Sequence, residues 1–250
     1  MEPARLAARR VIEERVVAVD DDWIIFDPGL IAEPTPASFD PAAWGRAVVG
    51  SAEGRSSAWF IEHEEQAWVL RHYWRGGLPG KLFKDKYFYP GRERARPFRE
   101  WRVLAQAHAD GVNVPRPVAA RLHRHSLLNY SGDILMQRIV GAHSLADKLA
   151  DGSMTPALWD AMAMAIARCH QAGYWHADLN ARNLLCRDGQ WWLIDFDRAR
   201  KRTAGTWGYE NIRRLKRSLD KLSAAGELRY SRQQWRDFVE AWHVGLCGPG

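Results

Sequence analysis

Cysteine is scarce in this 250-residue chain: Cys169, Cys186 and Cys247 are odd in number and form no C-x-x-C pair and no Cys/His ligand spacing. A disulfide framework and a zinc site are therefore set aside, and a reducing compartment is expected. No run approaches the roughly 18–20 uninterrupted apolar residues that span a bilayer, and the opening "MEPARLAARRVIEERVVAV" lacks an apolar core of signal-peptide length. Internal repeats and low-complexity tracts are also missing. With 46% hydrophobic residues and 13 Trp the chain has ample material for a buried core, which argues against disorder. Its net charge of +6 points to an anionic partner: phosphate-bearing ligands, an acidic membrane surface or nucleic acid.

The periodicity divides the chain near Arg138–Gly141. A short strand at Trp23–Phe26 leads into an extended loop, "DPGLIAEPTPASFDP". Strand-type runs follow at Arg46–Val49, Ala58–Glu62 and Gln66–Trp74, the first two joined by the turn "GSAEGRSS". "FREWRVLAQAHA" has helical period and "VPRPV" stops it. Ala119–His123 and Asp133–Ile139 complete an N-terminal half of about five strands and one main helix. Beyond Gly141, "SLADKLADG" and "TPALWDAMAMAIARCHQAG" read as helices, the second with Thr155 as N-cap, Pro156 in its first turn and an inward face of Ala161, Met164, Ala165 and Cys169. Strands Leu184–Cys186 and Trp191–Ile194 meet at Asp188-Gly189, a hairpin signal, and two basic helices occupy 208–243. The expected class is α+β in two lobes: residues 1–139 β-rich, residues 140–250 compact and mostly helical.

The stretch "YWHADLNARNLLCRDGQWWLIDFDRAR" sets polar groups among apolar residues, where each must be hydrated, hydrogen-bonded or bound to a cation. A lone Asp or Asn in a loop is usually a turn former. Three in register, as His-x-Asp-x4-Asn followed by a hairpin and Asp-Phe, call for more. The pattern resembles the catalytic and metal loops of the protein-kinase-like fold. That resemblance implies that Asp178 takes or orients the proton of a substrate hydroxyl and that His176 pins the loop. Asn183 and Asp195, with Asp197 beside them, would hold the magnesium of Mg-ATP. The strand lysine expected against the nucleotide phosphates is replaced by Arg71 in "WVLRHY", with Glu100 as its helix carboxylate. Lys81, Lys84 and Lys86 are the other candidates for that contact, and Arg and Lys are not interchangeable there. The Gly45–Gly54 segment lacks the regular G-x-G-x-x-G form.

Two departures narrow the class. Asp197 stands where protein kinases have Gly, and with no A-P-E and 53 residues following it, a large protein-substrate half is not expected. Through "LRHYWRGG", "HADLNARNLL" and "LIDFDR" the chain is similar, over about Trp44–Leu222, to the 3-deoxy-D-manno-octulosonic acid (Kdo) kinases of Gram-negative bacteria. The resemblance implies ATP-dependent phosphorylation of the 4-hydroxyl of Kdo on a lipid A precursor, in lipopolysaccharide inner-core biosynthesis. The basic runs "GRERARPFR", "RARKR" and "RRLKR" suit an acidic sugar and an anionic inner-membrane surface, so the expected place is peripheral, on the cytoplasmic face of that membrane, with no nucleic acid as partner. An aminoglycoside- or choline-type phosphotransferase would share the motif but brings an acidic pocket for a cationic substrate. A catalytically inactive kinase-like nucleotide binder is the reading that Arg71 leaves open.

Overall fold

The computed structural model describes residues 12–52, 58–74, 85–203 and 205–248. The chain forms two compact units, residues 1–109 with 116–138 and residues 110–115 with 139–250. Strands β1 (Arg15–Val19), β2 (Asp22–Phe26), β3 (Val48–Ala52), β4 (Ala58–His63), β5 (Gln66–His72), β6 (Tyr87–Phe88), β7 (Pro117–Arg124) and β8 (Asn129–Gln137) make the sheet of the first unit, with a short helix α1 (Pro41–Trp44) and one long helix, α2 (Arg96–Ala109). The order is β1-β2-β7-β8-β5-β4-β3, with β6 on β8, and every pairing is antiparallel. Ile24, Phe26, Phe39, Ile61, Trp68, Leu70, Val118 and Leu135 close into one core cluster. α2 buries Phe98, Trp101, Leu104 and Ala107 and packs on β7 and β8. Gly132 permits that approach: a Cβ there would come within 2.2 Å of Pro97 Cγ.

The sheet has more strands than the five expected. β1 escapes a burial-based reading because all five of its residues are exposed. The strand expected to begin at Arg46 begins at Val48, since Gly45–Ala47 turn as a 3-10 helix after Gly45 adopts φ 51°. The loop before it holds a further 3-10 turn, Pro36–Phe39, that plants Phe39 in the core.

The second unit contains β9 (His143–Ser144), α3 (Leu145–Ala150), α4 (Pro156–Gln171), β10 (Tyr174–Trp175), β11 (Leu184–Arg187), β12 (Gln190–Leu193), β13 (Arg200–Lys201), α5 (Trp207–Ala224) and α6 (Arg232–Cys247). Thr155 caps α4 by accepting from the Leu158 amide at 3.3 Å, with Pro156 in the first turn. Capping boxes open α3 (Ser144 with Asp147) and α6 (Ser231 with Gln234). The inward face expected for α4 is corrected. Trp159, Met162, Ala163, Ile166, Ala167, Cys169 and His170 are buried at i, i+3, i+4, i+7 spacing, while Met164 is 41% exposed and Ala161 and Ala165 are half-buried. α6 lies against α4 so closely that a Cβ on Gly245 would sit 2.8 Å from Met164 Sδ. No disulfide forms; burial pushes the Cys169 thiol up to about 12, which makes it inert.

Candidate active site

Strand β10 delivers the chain into the loop His176–Asn183, and the β11–β12 hairpin returns it to Asp195. The hairpin turns at Asp188 (φ 50°) and Gly189 (φ 77°), as the Asp-Gly pair requires. His176 is fully buried and organises the loop. Its Nε2–H donates to the Ile194 carbonyl at 2.9 Å, and its Nδ1 accepts the Asp178 backbone N–H at 3.1 Å. Burial holds its pKa below the ordinary histidine value, so the neutral ring presents one donor and one acceptor, as these two bonds need. The Phe196 ring meets it edge-on at 5.0 Å.

Asn180 and Asn183 tie the loop to itself. Asn180 Nδ2 donates to Asp178 Oδ2 at 3.0 Å, and its Oδ1 accepts the amides of Arg182 (2.8 Å) and Asn183 (3.1 Å). Asn183 Nδ2 donates to the Asp178 carbonyl at 2.9 Å, and the Asn183 carbonyl accepts from the Ile194 amide at 3.0 Å. The Asp178 side chain stays 59% exposed, its Oδ1 facing Arg214 Nη1 of α5 at 3.8 Å. Asp178, Asn183 and Asp195 line one groove of about 620 Å³, whose other wall is Arg214, Arg217, Ser218 and Lys221 of α5. Asp195 stands at φ 64°, a left-handed backbone costing a non-glycine residue about 1 kcal/mol and common where function fixes the conformation.

A second layer stands behind the loop. Asn211 of α5 accepts the His176 amide at 3.0 Å and donates to the His176 carbonyl at 2.8 Å. The same Asn211 Oδ1 faces His170 Nε2 of α4 at 3.3 Å, and Trp242 Nε1–H of α6 donates to His170 Nδ1 at 3.1 Å. The Asn211 amide of α5 is thus backed by His170 of α4, which Trp242 of α6 holds in turn.

The donor set fits a divalent cation with phosphates. Committing Asn183 Nδ2 to the Asp178 carbonyl turns its Oδ1, a hard oxygen ligand, the other way, and the Asp195 carboxylate shares its groove. Asp197 is half-buried and is not among the described residues lining that groove.

In the first unit, Arg71 of β5 and Glu100 of α2 meet: Nη2 lies 2.6 Å from Oε1 and 2.5 Å from Oε2, with the Glu100 side chain wholly buried. Tyr73 Oη donates to Glu100 Oε2 at 2.6 Å. Lys86 is exposed, and Lys81, Lys84 and residues 53–57 of the Gly/Ser turn lie outside the described residues. The reading of the sequence passed over Asn180, Asn211, Arg214 and Arg217. Arg214 and Arg217 were visible only as members of the basic run "RRLKR". Asn211 carried a signal in its position, four residues from both Trp207 and Leu215 on the buried face of α5.

Residues 42–242 match the model of the lipopolysaccharide kinase (Kdo/WaaP) family. The chain is 37% identical to the 3-deoxy-D-manno-octulosonic acid kinase of Photobacterium profundum over 228 residues, 90% of this chain and 96% of that one. It is 38% identical to that of Vibrio parahaemolyticus serotype O3:K6 (89% and 94% covered), and 34% identical to that of Haemophilus influenzae (strain 86-028NP) (90% and 97% covered). Among solved structures, WaaP in complex with acyl carrier protein superposes with a TM-score of 0.52 at 15% identity, covering 82% of this chain and 86% of that one, a likeness of fold.

Proposed function

The chain belongs to the lipopolysaccharide kinase (Kdo/WaaP) family, and from that premise we propose that it transfers the γ-phosphoryl group of ATP to the 4-hydroxyl of a Kdo residue on a lipid A precursor. It is a kinase of lipopolysaccharide core biosynthesis that acts on Kdo: the family and relatives matched over more than nine-tenths of their length support this together. The single observation that carries the reading is the groove where Asp178, Asn183 and Asp195 meet. Its α5 wall of Arg214, Arg217 and Lys221 suits an anionic acceptor and disfavours the cationic acceptor of an aminoglycoside- or choline-type enzyme.

Phosphoryl transfer asks a protein mainly for positioning and charge neutralisation. Asn180 holds Asp178 Oδ2 and leaves Oδ1 to receive the proton of the attacking hydroxyl. The oxygen so activated attacks the γ-phosphorus, the bond to the bridging oxygen breaks, and ADP leaves. Asn183 Oδ1 and the Asp195 carboxylate would hold magnesium, which when bound neutralises charge on the nucleotide phosphates. His176 keeps the Asp178 amide in place. Arg71, fixed by Glu100 and Tyr73, takes the role of the strand lysine toward phosphate, which a guanidinium binds through paired N–H groups.

Among the described residues no helix is long and apolar enough to cross a membrane. The enzyme meets its lipid acceptor as a peripheral protein on the cytoplasmic face of the inner membrane, through basic surface runs. Binding to anionic vesicles should fall steeply between 0.05 and 0.5 M salt, about tenfold or more by charge screening; salt-independent binding contradicts this. The reaction is tested by incubating the protein with Mg-ATP and Kdo-bearing lipid A precursor and locating the new phosphate by mass and phosphorus–proton NMR. Phosphate on the 4-hydroxyl is expected, and phosphate on another position or on lipid A overturns the assignment.

A further inference from the structure

A second cavity, about 270 Å³, adjoins the catalytic groove and is lined by Trp175, Glu210, Asn211, Arg213, Arg214 and Arg217. Arg214 and Arg217 line the groove as well, so the two spaces share a wall. Three guanidinium groups stand here against one carboxylate. Among the described residues Arg213 and Arg217 have no ion-pair partner, and Arg214 has only Asp178, at 3.8 Å. The Trp175 Nε1–H is buried and has no acceptor. The Trp175 ring is itself flanked by the guanidinium groups of Arg200 (5.0 Å) and Arg202 (4.4 Å), which add to the positive potential. Clustered, unneutralised arginines form a site that gains from an acceptor-only anion.

Resting on the reading of the acceptor given above, we infer that this cavity takes the carboxylate of the acceptor sugar acid, and that Arg217 orients the sugar so that its hydroxyl meets Asp178. The volume suits a carboxylate and excludes a whole lipid. The 3.8 Å between Arg214 and Asp178 lets one sugar residue present its hydroxyl to the carboxylate and its own carboxylate to the arginines. The site selects a sugar acid over a neutral sugar, because a neutral acceptor leaves the cluster without a counter-charge.

The test crosses protein with substrate. Wild type and Arg217→Gln are assayed with native Kdo-lipid and with Kdo-lipid whose carboxyl is reduced to an alcohol. For wild type, reduction should raise the acceptor KM about 10- to 100-fold, the worth of hydrogen bonds to a charged group, with the KM for ATP unchanged. Arg217→Gln should show the same rise with the native acceptor and little further rise with the reduced one. Arg217→Lys should recover part of the loss. Equal melting temperatures show that the variants fold. Losses that simply add, or a loss that follows removal of the lipid phosphates and not of the carboxyl, overturn the inference. Failure of wild type to phosphorylate the native acceptor overturns the acceptor reading and the inference with it, and wild type alone reveals that outcome.

Discussion

Replacing Asn211 should damage stability and turnover together, because one side chain satisfies both backbone groups of the fully buried His176. An unsatisfied buried polar group costs about 1–3 kcal/mol, so orphaning the His176 amide, the His176 carbonyl and the His170 Nε2–H that the same Oδ1 accepts costs about 3–9 kcal/mol. The choice of substitute separates the contributions. Asn211→Leu fills the space and excludes water, leaving both His176 groups unpaired, and should fall at the upper end. Asn211→Ala opens room for a water molecule that can bridge them, and should fall at the lower end. Either change loosens the ring that holds the Asp178 amide, so the folded variants should lose at least about tenfold in kcat, with a smaller change in the KM for ATP. Urea denaturation gives the stability and steady-state kinetics the rest. A loss under about 1 kcal/mol with kcat unchanged in Asn211→Leu would refute the view that this amide holds the His176–Asn183 loop.

Two further outcomes follow from the same framework. His170 is buried with its pKa lowered to about 4, chiefly by desolvation, against 6.5 unfolded. Its neutral form therefore stabilises the fold above pH 6.5, and that contribution, up to about 3 kcal/mol, is lost as pH falls from 6.5 toward 4. His170→Gln should flatten this part of the stability–pH curve, and a curve parallel to wild type across that window would show that His170 does not set it. Asp195→Asn should cut turnover about 100-fold or more while leaving the melting temperature of the apoprotein unchanged. In wild type, ATP should raise the melting temperature more with magnesium than with EDTA, and in Asp195→Asn the two should agree; a variant that keeps the magnesium-dependent rise is not missing a metal ligand.

That His176–Asn183 forms a loop was readable in the sequence because its polar residues interrupt an apolar frame. A helix or strand has no place for Asp178, Asn183 and Asp195, so they marked a loop and a hairpin end. The contact between Arg71 and Glu100 was readable only through the family resemblance, which sets a strand cation against a helix carboxylate. The features missed have physical causes. The valines of β1 face solvent and leave no alternation to read. Strand order depends on pairings such as β2 with β7, about a hundred residues apart, which local pattern does not encode. The face of α4 was misjudged because Ala and Met recur all round that helix, and its neighbours α6 and β12 decide which residues are buried. Asn211 looked like an ordinary residue in a basic helix; its meaning lies in His176, 35 positions earlier.

The most direct test of the account compares wild type with Asp178→Ala in transfer of labelled phosphate from ATP to Kdo-bearing lipid, with nucleotide and lipid binding measured on the same preparations. Asp178 meets the acceptor oxygen in this account and contacts neither the phosphates nor the metal. Turnover should therefore fall by about 10²–10⁴, while ATP and lipid affinities change less than about threefold. Equal rates for the two proteins, or a loss explained entirely by weaker ATP binding, would contradict it.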